Sequence, residues 1–472
     1  MEPSRKNPEI IQGGMGIGVS NWRLARAVAR EDQMGVVSGT AIDSVFVRRL
    51  QSGDVDGSLR RALARFPRPD MARRILDKYF VPGGKPPGTA YLPVPKLVWN
   101  MEPLSTELLV VSNFVEVFLA KEGHAGLVGI NYMEKIRLAT LPSLLGAMLA
   151  GVDYVLMGAG IPSAIPGALD GLARWEAVEL KLQVEGGGPK DNCSCRFDPA
   201  AFASEARTEL TRPRFLAVVS SDVVARSLAR KTSGVDGFVV ENHTAGGHNA
   251  PPRKCGPSSS ASAPGYGPKD APDIDKIRGL ERPFWLAGGY ASPAKLKEAR
   301  DLGAGGIQVG TAFAFCRESG IRPEIKEEVL RQCLKGELEA STDFRASPTG
   351  YPFKIITSLK NVQASRERKR LCDLGYLRQL YRNGNSEIGY RCPAEPVKSY
   401  LAKGGAPEET DGKQCLCNGL MATIGLGQSR KEGEEAPIVT AGEDFSFVEH
   451  VLGASRDETA YGAKDVIRYL LD

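Results

Sequence analysis

Eight times between Glu9 and Ala312 the chain repeats one pattern, a short apolar or β-branched run followed by a stretch with helical spacing. The runs are EIIQGG from Glu9, MGVVSG from Met34, GLVGINY from Gly126, DYVLMGAG from Asp153, RFLAVVS from Arg214, GFVVENH from Gly237, PFWLAGG from Pro283 and GGIQVGTA from Gly305. Helical segments such as NWRLARAVARE, LPSLLGAMLAG, SDVVARSLARK and SPAKLKEARDLGA lie between them. Strands that are apolar along their whole length are buried on both faces, and alternation with helices requires right-handed crossovers and a parallel sheet. Eight units over this span predict an α/β protein built on a closed TIM (β/α)8 barrel, with KLVWN (Lys96 to Asn100) as a possible ninth strand.

The chain has 472 residues, more than the roughly 250 a barrel needs. We place the barrel in residues 1–340, with insertions at 53–95, 175–213 and 254–273, and a C-terminal extension or small domain in 341–472. The third insertion, rich in Gly, Pro and Ser, directly follows the sixth strand, where it is either a lid or a plain loop. A formal charge of +5 on 61 basic and 56 acidic residues gives no electrostatic case for nucleic acid. The first ten residues lack an apolar signal core, and the run Leu108 to Ala120 is too short to span a bilayer, so a cytoplasmic protein outside the membrane is expected. Nine cysteines without a secretory signal argue for reduced thiols.

Four of the strands end in glycine-bearing turns, QGGMGIGVS, TAGGHN, LAGGYASP and QVGTAF. Barrel enzymes build their sites at these C-terminal strand ends, and glycine there lets a flat ring or a phosphate approach the backbone. The turns at Gly288–Tyr290 and Gly310–Thr311 follow strands seven and eight, the usual phosphate position. The chain has only four histidines, and two of them, His243 and His248, flank the TAGG turn. A histidine there can exchange a proton with a bound substrate. His124 and His450 read as ordinary loop and helix residues.

Together QGGMGIGVS, GINY, ENHTAGGH and LAGGYASPAKLKEARDLGAGGIQVGTAF resemble the nitronate monooxygenase family, which includes related flavin-dependent enoyl reductases. The resemblance covers Ile10 to Gly320 and implies a barrel carrying non-covalent FMN. It places the flavin ring against Gly14 and Met15, with Asn131 at its polar edge and Gly246 and Gly247 beneath it. Gly288, Gly289, Gly310 and Thr311 would hold the phosphate, Ser220 would touch the flavin, and His248 would be the active-site histidine. The family usually has Pro-Met at the first turn, where this chain has Gly14–Met15.

The resemblance implies oxidation of a nitronate or similar stabilised carbanion. Its alternative is an enoyl-thioester reductase drawing electrons from NAD(P)H, with an acyl-carrier or synthase partner. A barrel that only binds a phosphorylated small molecule, and a phosphosugar isomerase, are the further readings. SPTGYPFK (Ser347 to Lys354) resembles a segment bordering the substrate cavity in larger members. In the tail, Cys372, Cys392, Cys415 and Cys417 lie within 46 residues. Four thiols could hold zinc or an iron–sulfur cluster, but C-x-C is a poor match to a zinc knuckle, and free thiols are the expectation.

Overall fold

The computed structural model describes residues 7–187, 193–203, 208–230, 234–253, 265–359, 368–385, 387–431, 433–453 and 460–472. All eight predicted runs form parallel strands of one sheet: β1 (Ile10–Gln12), β2 (Gly35–Ser38), β3 (Val128–Met133), β4 (Tyr154–Gly158), β5 (Arg214–Val219), β6 (Gly237–Glu241), β7 (Phe284–Ala287) and β8 (Gly306–Val309). Each pairs with its neighbour in chain order, and β8 pairs with β1. A parallel bridge between Ile11 and Met34 closes the ring, carried by the Gln12 N–H to Met34 O at 2.9 Å and the Met34 N–H to Ile10 O at 3.1 Å. The fold is a TIM barrel.

Alternation along each strand divides the side chains into two layers. Ile11, Val36, Leu156, Leu216, Val239 and Trp285 form the barrel interior, while Ile10, Val37, Val155, Phe215, Phe238 and Phe284 pack outward under the helices. Trp285 is fully buried, and its indole N–H donates to Pro8 O at 2.8 Å, plugging the end of the barrel opposite the glycine turns. Trp285→Ala should cost about 3–5 kcal/mol through the cavity it opens. A denaturant midpoint within error of the parent would refute that packing role.

Three of the barrel helices start on a side-chain cap. Asn21 accepts from the Arg23 and Leu24 amides, Ser221 from Val223, and Ser292 from Lys295, each at the head of a predicted helix. Pro103–Lys121 forms one 19-residue helix, longer than the apolar run suggested, and by length and composition it could cross a membrane. In the structure 78% of its most apolar stretch is buried, against the helices Arg137–Leu149, Trp22–Ala29 and Ile42–Gln51.

Lys96–Asn100 is not a strand. Its polar groups go to the tail: the Trp99 N–H donates to the Tyr390 hydroxyl at 2.6 Å, Lys96 Nζ to Cys372 O at 2.8 Å, and Leu97 O accepts from Arg378 at 2.6 Å. The first insertion folds into the helices Ser58–Leu63 and Pro69–Tyr79, and the second holds an antiparallel pair, Val178–Lys181 with Ser194–Phe197. In the third, residues 254–264 lie outside the described residues, and the lid reading falls largely on them.

The tail wraps back over the barrel. Ala340–Asp343 pairs with Phe353–Ile356, which continues onto Gly247–His248 in the register His248 to Phe353. The last helix, Ala463–Leu471, rests on Trp22–Ala29 and Pro293–Asp301, and just before it the Tyr461 hydroxyl donates to Ala312 O at 2.7 Å. Apolar residues of the tail, among them Phe353, Leu416, Ile438 and Val466, join the core cluster that also holds the outward face of the barrel.

Candidate active site

At the C-terminal mouth of the barrel the side chains of successive strands converge on a cavity of about 270 Å³. Its floor is set by alternation. The residue two places beyond each interior residue also points toward the axis, and this brings Asn131, Gly158, Val218, Glu241, Ala287 and Gln308 to the cavity. Of the residues singled out from sequence, Gly14, Met15, Asn131, Gly246, Gly247, His248, Gly288, Gly289, Gly310 and Thr311 all line it. Ser220 does not; Val218, two residues earlier, takes the wall position at the end of β5. His243 is also outside, its ring stacked on Tyr266 at 4.4 Å.

The glycines serve packing as well as access. A Cβ at Gly14 would stand 2.3 Å from Cβ of Asn131, so Asn131 can lie across this turn, where its side-chain amide donates to Gly14 O at 3.2 Å. A Cβ at Gly246 would stand 2.7 Å from the backbone of Ala441. The space left by that missing side chain is therefore filled by the tail.

The turn after β7 has a different character. The N–H groups of Gly289, Tyr290 and Ala291 have no protein acceptor among the described residues, and all three residues line the cavity. Successive unpaired amides form a concavity suited to an anion. Opposite, Thr311 Oγ1 accepts from the Gly442 N–H at 2.8 Å, which leaves its own O–H free to donate. These donors fit a phosphate, and the glycine-bearing floor fits a flat ring beside it.

His248 is fixed from the tail. Its Nε2 is 2.7 Å from Ser347 Oγ, which is itself 2.8 Å from Thr349 Oγ1, and its ring packs edge-on to Phe353 at 4.8 Å. Burial, helped by the Lys135 ammonium, pushes its pKa down to about 4. The imidazole is therefore neutral at physiological pH and serves as a hydrogen-bond partner rather than as a cation.

Glu241 went unnoticed in the sequence. It ends β6 on the same face as Val239, pointing to the barrel axis, and loss of hydration raises its pKa to about 7. A carboxyl poised near neutrality inside a cavity is suited to proton transfer. The tail supplies a wall that sequence reading did not find: Tyr376, Leu377, Leu416, Cys417 and the segment Thr440–Gly442. That segment is tied down by the Gly247 N–H donating to Thr440 Oγ1 at 2.9 Å. Beyond Tyr376 and Leu377, which it shares, a second cavity of about 400 Å³ runs between barrel and tail past Lys135, Arg378 and Thr349.

No family model matches the chain. In sequence it is 31% identical, over 138 residues, to a protein of Bacillus subtilis (strain 168) named probable nitronate monooxygenase, a match covering 29% of this chain and 38% of that protein. The match thus spans under two fifths of the relative. Among solved structures, nitroalkane oxidase from Streptomyces ansochromogenes aligns over 98% of this chain and 94% of its own, at 14% identity and a TM-score of 0.46. FabK from Thermotoga maritima aligns over 86% and 93%, at 15% identity and a TM-score of 0.40. The barrel assignment rests on strand order and closure, and these likenesses add no further argument to it.

Proposed function

We propose that this chain is an FMN-dependent oxidoreductase of the nitronate monooxygenase kind, acting on a nitronate or a similarly stabilised carbanion. The observation that carries the reading is one cavity that joins an amide concavity for phosphate, a floor open to a flat ring, a neutral hydrogen-bonding imidazole, His248, and a carboxyl poised for proton exchange, Glu241. Gly289 to Ala291 and Thr311 would hold the phosphate, while Gly14, Met15 and Asn131 would border the ring. Bound there, FMN would supply the redox chemistry, an acceptor for the carbanion's electrons that oxygen can reoxidise.

The residues divide the remaining work. Neutral His248, anchored by Ser347, donates or accepts a hydrogen bond at the substrate's polar group and orients it. At a pKa near 4 it is a poor base, so a neutral nitroalkane would surrender its proton to Glu241, whose carboxylate form is populated above about pH 7. The wall of tail residues limits water in the cavity, which strengthens both interactions.

The test begins with the absorbance spectrum of the purified chain, followed by heat release and identification of the chromophore. FMN released in near-equal amount to protein, with oxygen uptake and nitrite formation on adding a nitronate, is the expected result. A colourless protein that cannot be reconstituted with FMN would defeat the reading.

The second cavity favours one other substrate class. Its Lys135 and Arg378 donate to backbone carbonyls and have no carboxylate partner among the described residues, so an elongated anionic substrate such as an acyl thioester on a phosphopantetheine arm could lie there. Rapid oxidation of NAD(P)H with an enoyl thioester, and none with a nitronate, would select the enoyl reductase.

A further inference from the structure

Two cations meet at the second cavity without an anion to balance them. Of its charged lining residues, Arg137 is paired with Glu134, and Glu185 with Arg391 at 2.8 Å. Lys135 and Arg378 have no such partner among the described residues, yet both are held in place. Lys135 Nζ donates to Thr349 O at 2.7 Å and lies 4.1 Å from the centre of the Tyr351 ring. Arg378 donates through Nε to Gly375 O at 3.1 Å and through Nη2 to Leu97 O at 2.6 Å, with its guanidinium 4.9 Å from the Tyr390 ring centre. Carbonyls and ring faces orient a cation but do not neutralise it. Cations fixed in advance then bind an anion at a smaller cost in ordering.

The rest of the lining is largely apolar, including Ile136, Leu138, Leu182 and Leu380. At about 400 Å³ the cavity is of the size that takes small molecules, about 300–1,000 Å³. Tyr376 and Leu377 form the wall it shares with the active-site cavity, and the Tyr376 hydroxyl donates to buried Asp43, which fixes the ring as a sill between the two. One tail turn serves both sides. Thr349 O holds Lys135, while Thr349 Oγ1 meets Ser347 Oγ, the partner of His248. The Lys135 ammonium is near enough to His248 to help lower its pKa.

We propose that the second cavity is a specificity site for the far end of the substrate, an anionic group carried on an aliphatic chain and held by Lys135 and Arg378. The orientation, with the reacting carbon at His248 and Glu241, rests on the proposed carbanion oxidation; the anion site itself does not. A carboxylate and a phosphate monoester share the required chemistry.

Calorimetric titration of the full chain as purified tests the site without turnover. Octanoate should bind at least about tenfold more tightly than octanol. Octyl phosphate binding more tightly than octanoate, in a manner that depends on Lys135, would identify the anion as a phosphate monoester; the reverse order would identify a carboxylate. Lys135→Met should abolish the preference for a charged end, and Lys135→Arg, which keeps the charge, should restore most of it. Lys413→Met removes a cation that donates to Ser347 O at 3.0 Å but lines neither cavity, and it should keep the preference. If Lys135→Met fails to fold, the preference of the unaltered chain and its weakening by salt decide. Equal binding of octanoate and octanol, or a preference that persists in folded Lys135→Met, would overturn the proposal. In turnover, the nitronate of ω-nitrooctanoate should show a KM at least about tenfold below that of nitrooctane. Octanoate binding without any nitronate turnover would defeat the carbanion reading and leave the site standing. Nitronate turnover with no preference for a charged end would do the opposite.

Discussion

Gly289→Val is expected to lower FMN affinity by at least about tenfold, one pKa-unit equivalent or roughly 1.4 kcal/mol of binding, and to leave the chain folded. Gly289 sits at φ +69° in the turn whose amides face the cavity. A β-branched residue resists that conformation at a cost on the order of 1–2 kcal/mol, so the turn should relax and take the amides of Tyr290 and Ala291 with it. Its side chain would also stand where a phosphate must approach, 3.3 Å from Thr244 Oγ1. A matched control separates strain from ligand loss. Gly336 has the same φ of +69° at the end of the helix Pro323–Leu334, with nothing within 4 Å of an added Cβ. Gly336→Val should lower thermal stability by a similar amount while keeping its flavin. Equal FMN occupancy in the two variants would show that the turn after β7 does not hold the phosphate.

The barrel was legible because its strands are buried on both faces and so announce themselves as unbroken apolar runs. The strand-end glycines were legible because they follow those runs directly. Lys96–Asn100 misled for the same reason in reverse. It is apolar, but its backbone bonds go to Arg378 and Tyr390 and its Lys96 side chain bonds to Cys372 O, partners hundreds of residues away that no local pattern announces. The tail wall was hidden likewise. Thr440–Gly442 has no periodicity of its own and becomes part of the site only by bonding to Gly247 and Thr311. Glu241 was readable in principle. Once Val239 is assigned to the barrel interior, period two places Glu241 on the same face at the mouth, and a carboxyl there is costly unless it has a task.

His248→Ala should retain FMN and lose turnover by about 10²-fold, the scale on which misplacing a bound substrate costs rate. Retention follows from geometry, since the amides of Gly289 to Ala291 and the Thr311 hydroxyl belong to other strand ends. The pH profile then separates the two titratable groups. With its pKa near 4, His248 stays neutral across the physiological range and adds no inflection there. Glu241, raised to about 7, becomes a carboxylate as pH rises through that value, so turnover of a neutral nitroalkane should climb through pH 7. The residual activity of His248→Ala should keep that climb, and Glu241→Gln should lose it while still turning over a preformed nitronate. The same shift affects stability. The folded pKa lies above the ordinary carboxyl value of 4.5, so ionisation destabilises the fold progressively between about pH 4.5 and 7 and fully above it. Glu241→Gln should therefore gain stability over the parent at pH 8 and match it at pH 4. A climb through pH 7 that persists in Glu241→Gln would assign the proton transfer to another group. Unchanged turnover in His248→Ala would remove the histidine from the chemistry and leave it as a link between the barrel and the tail.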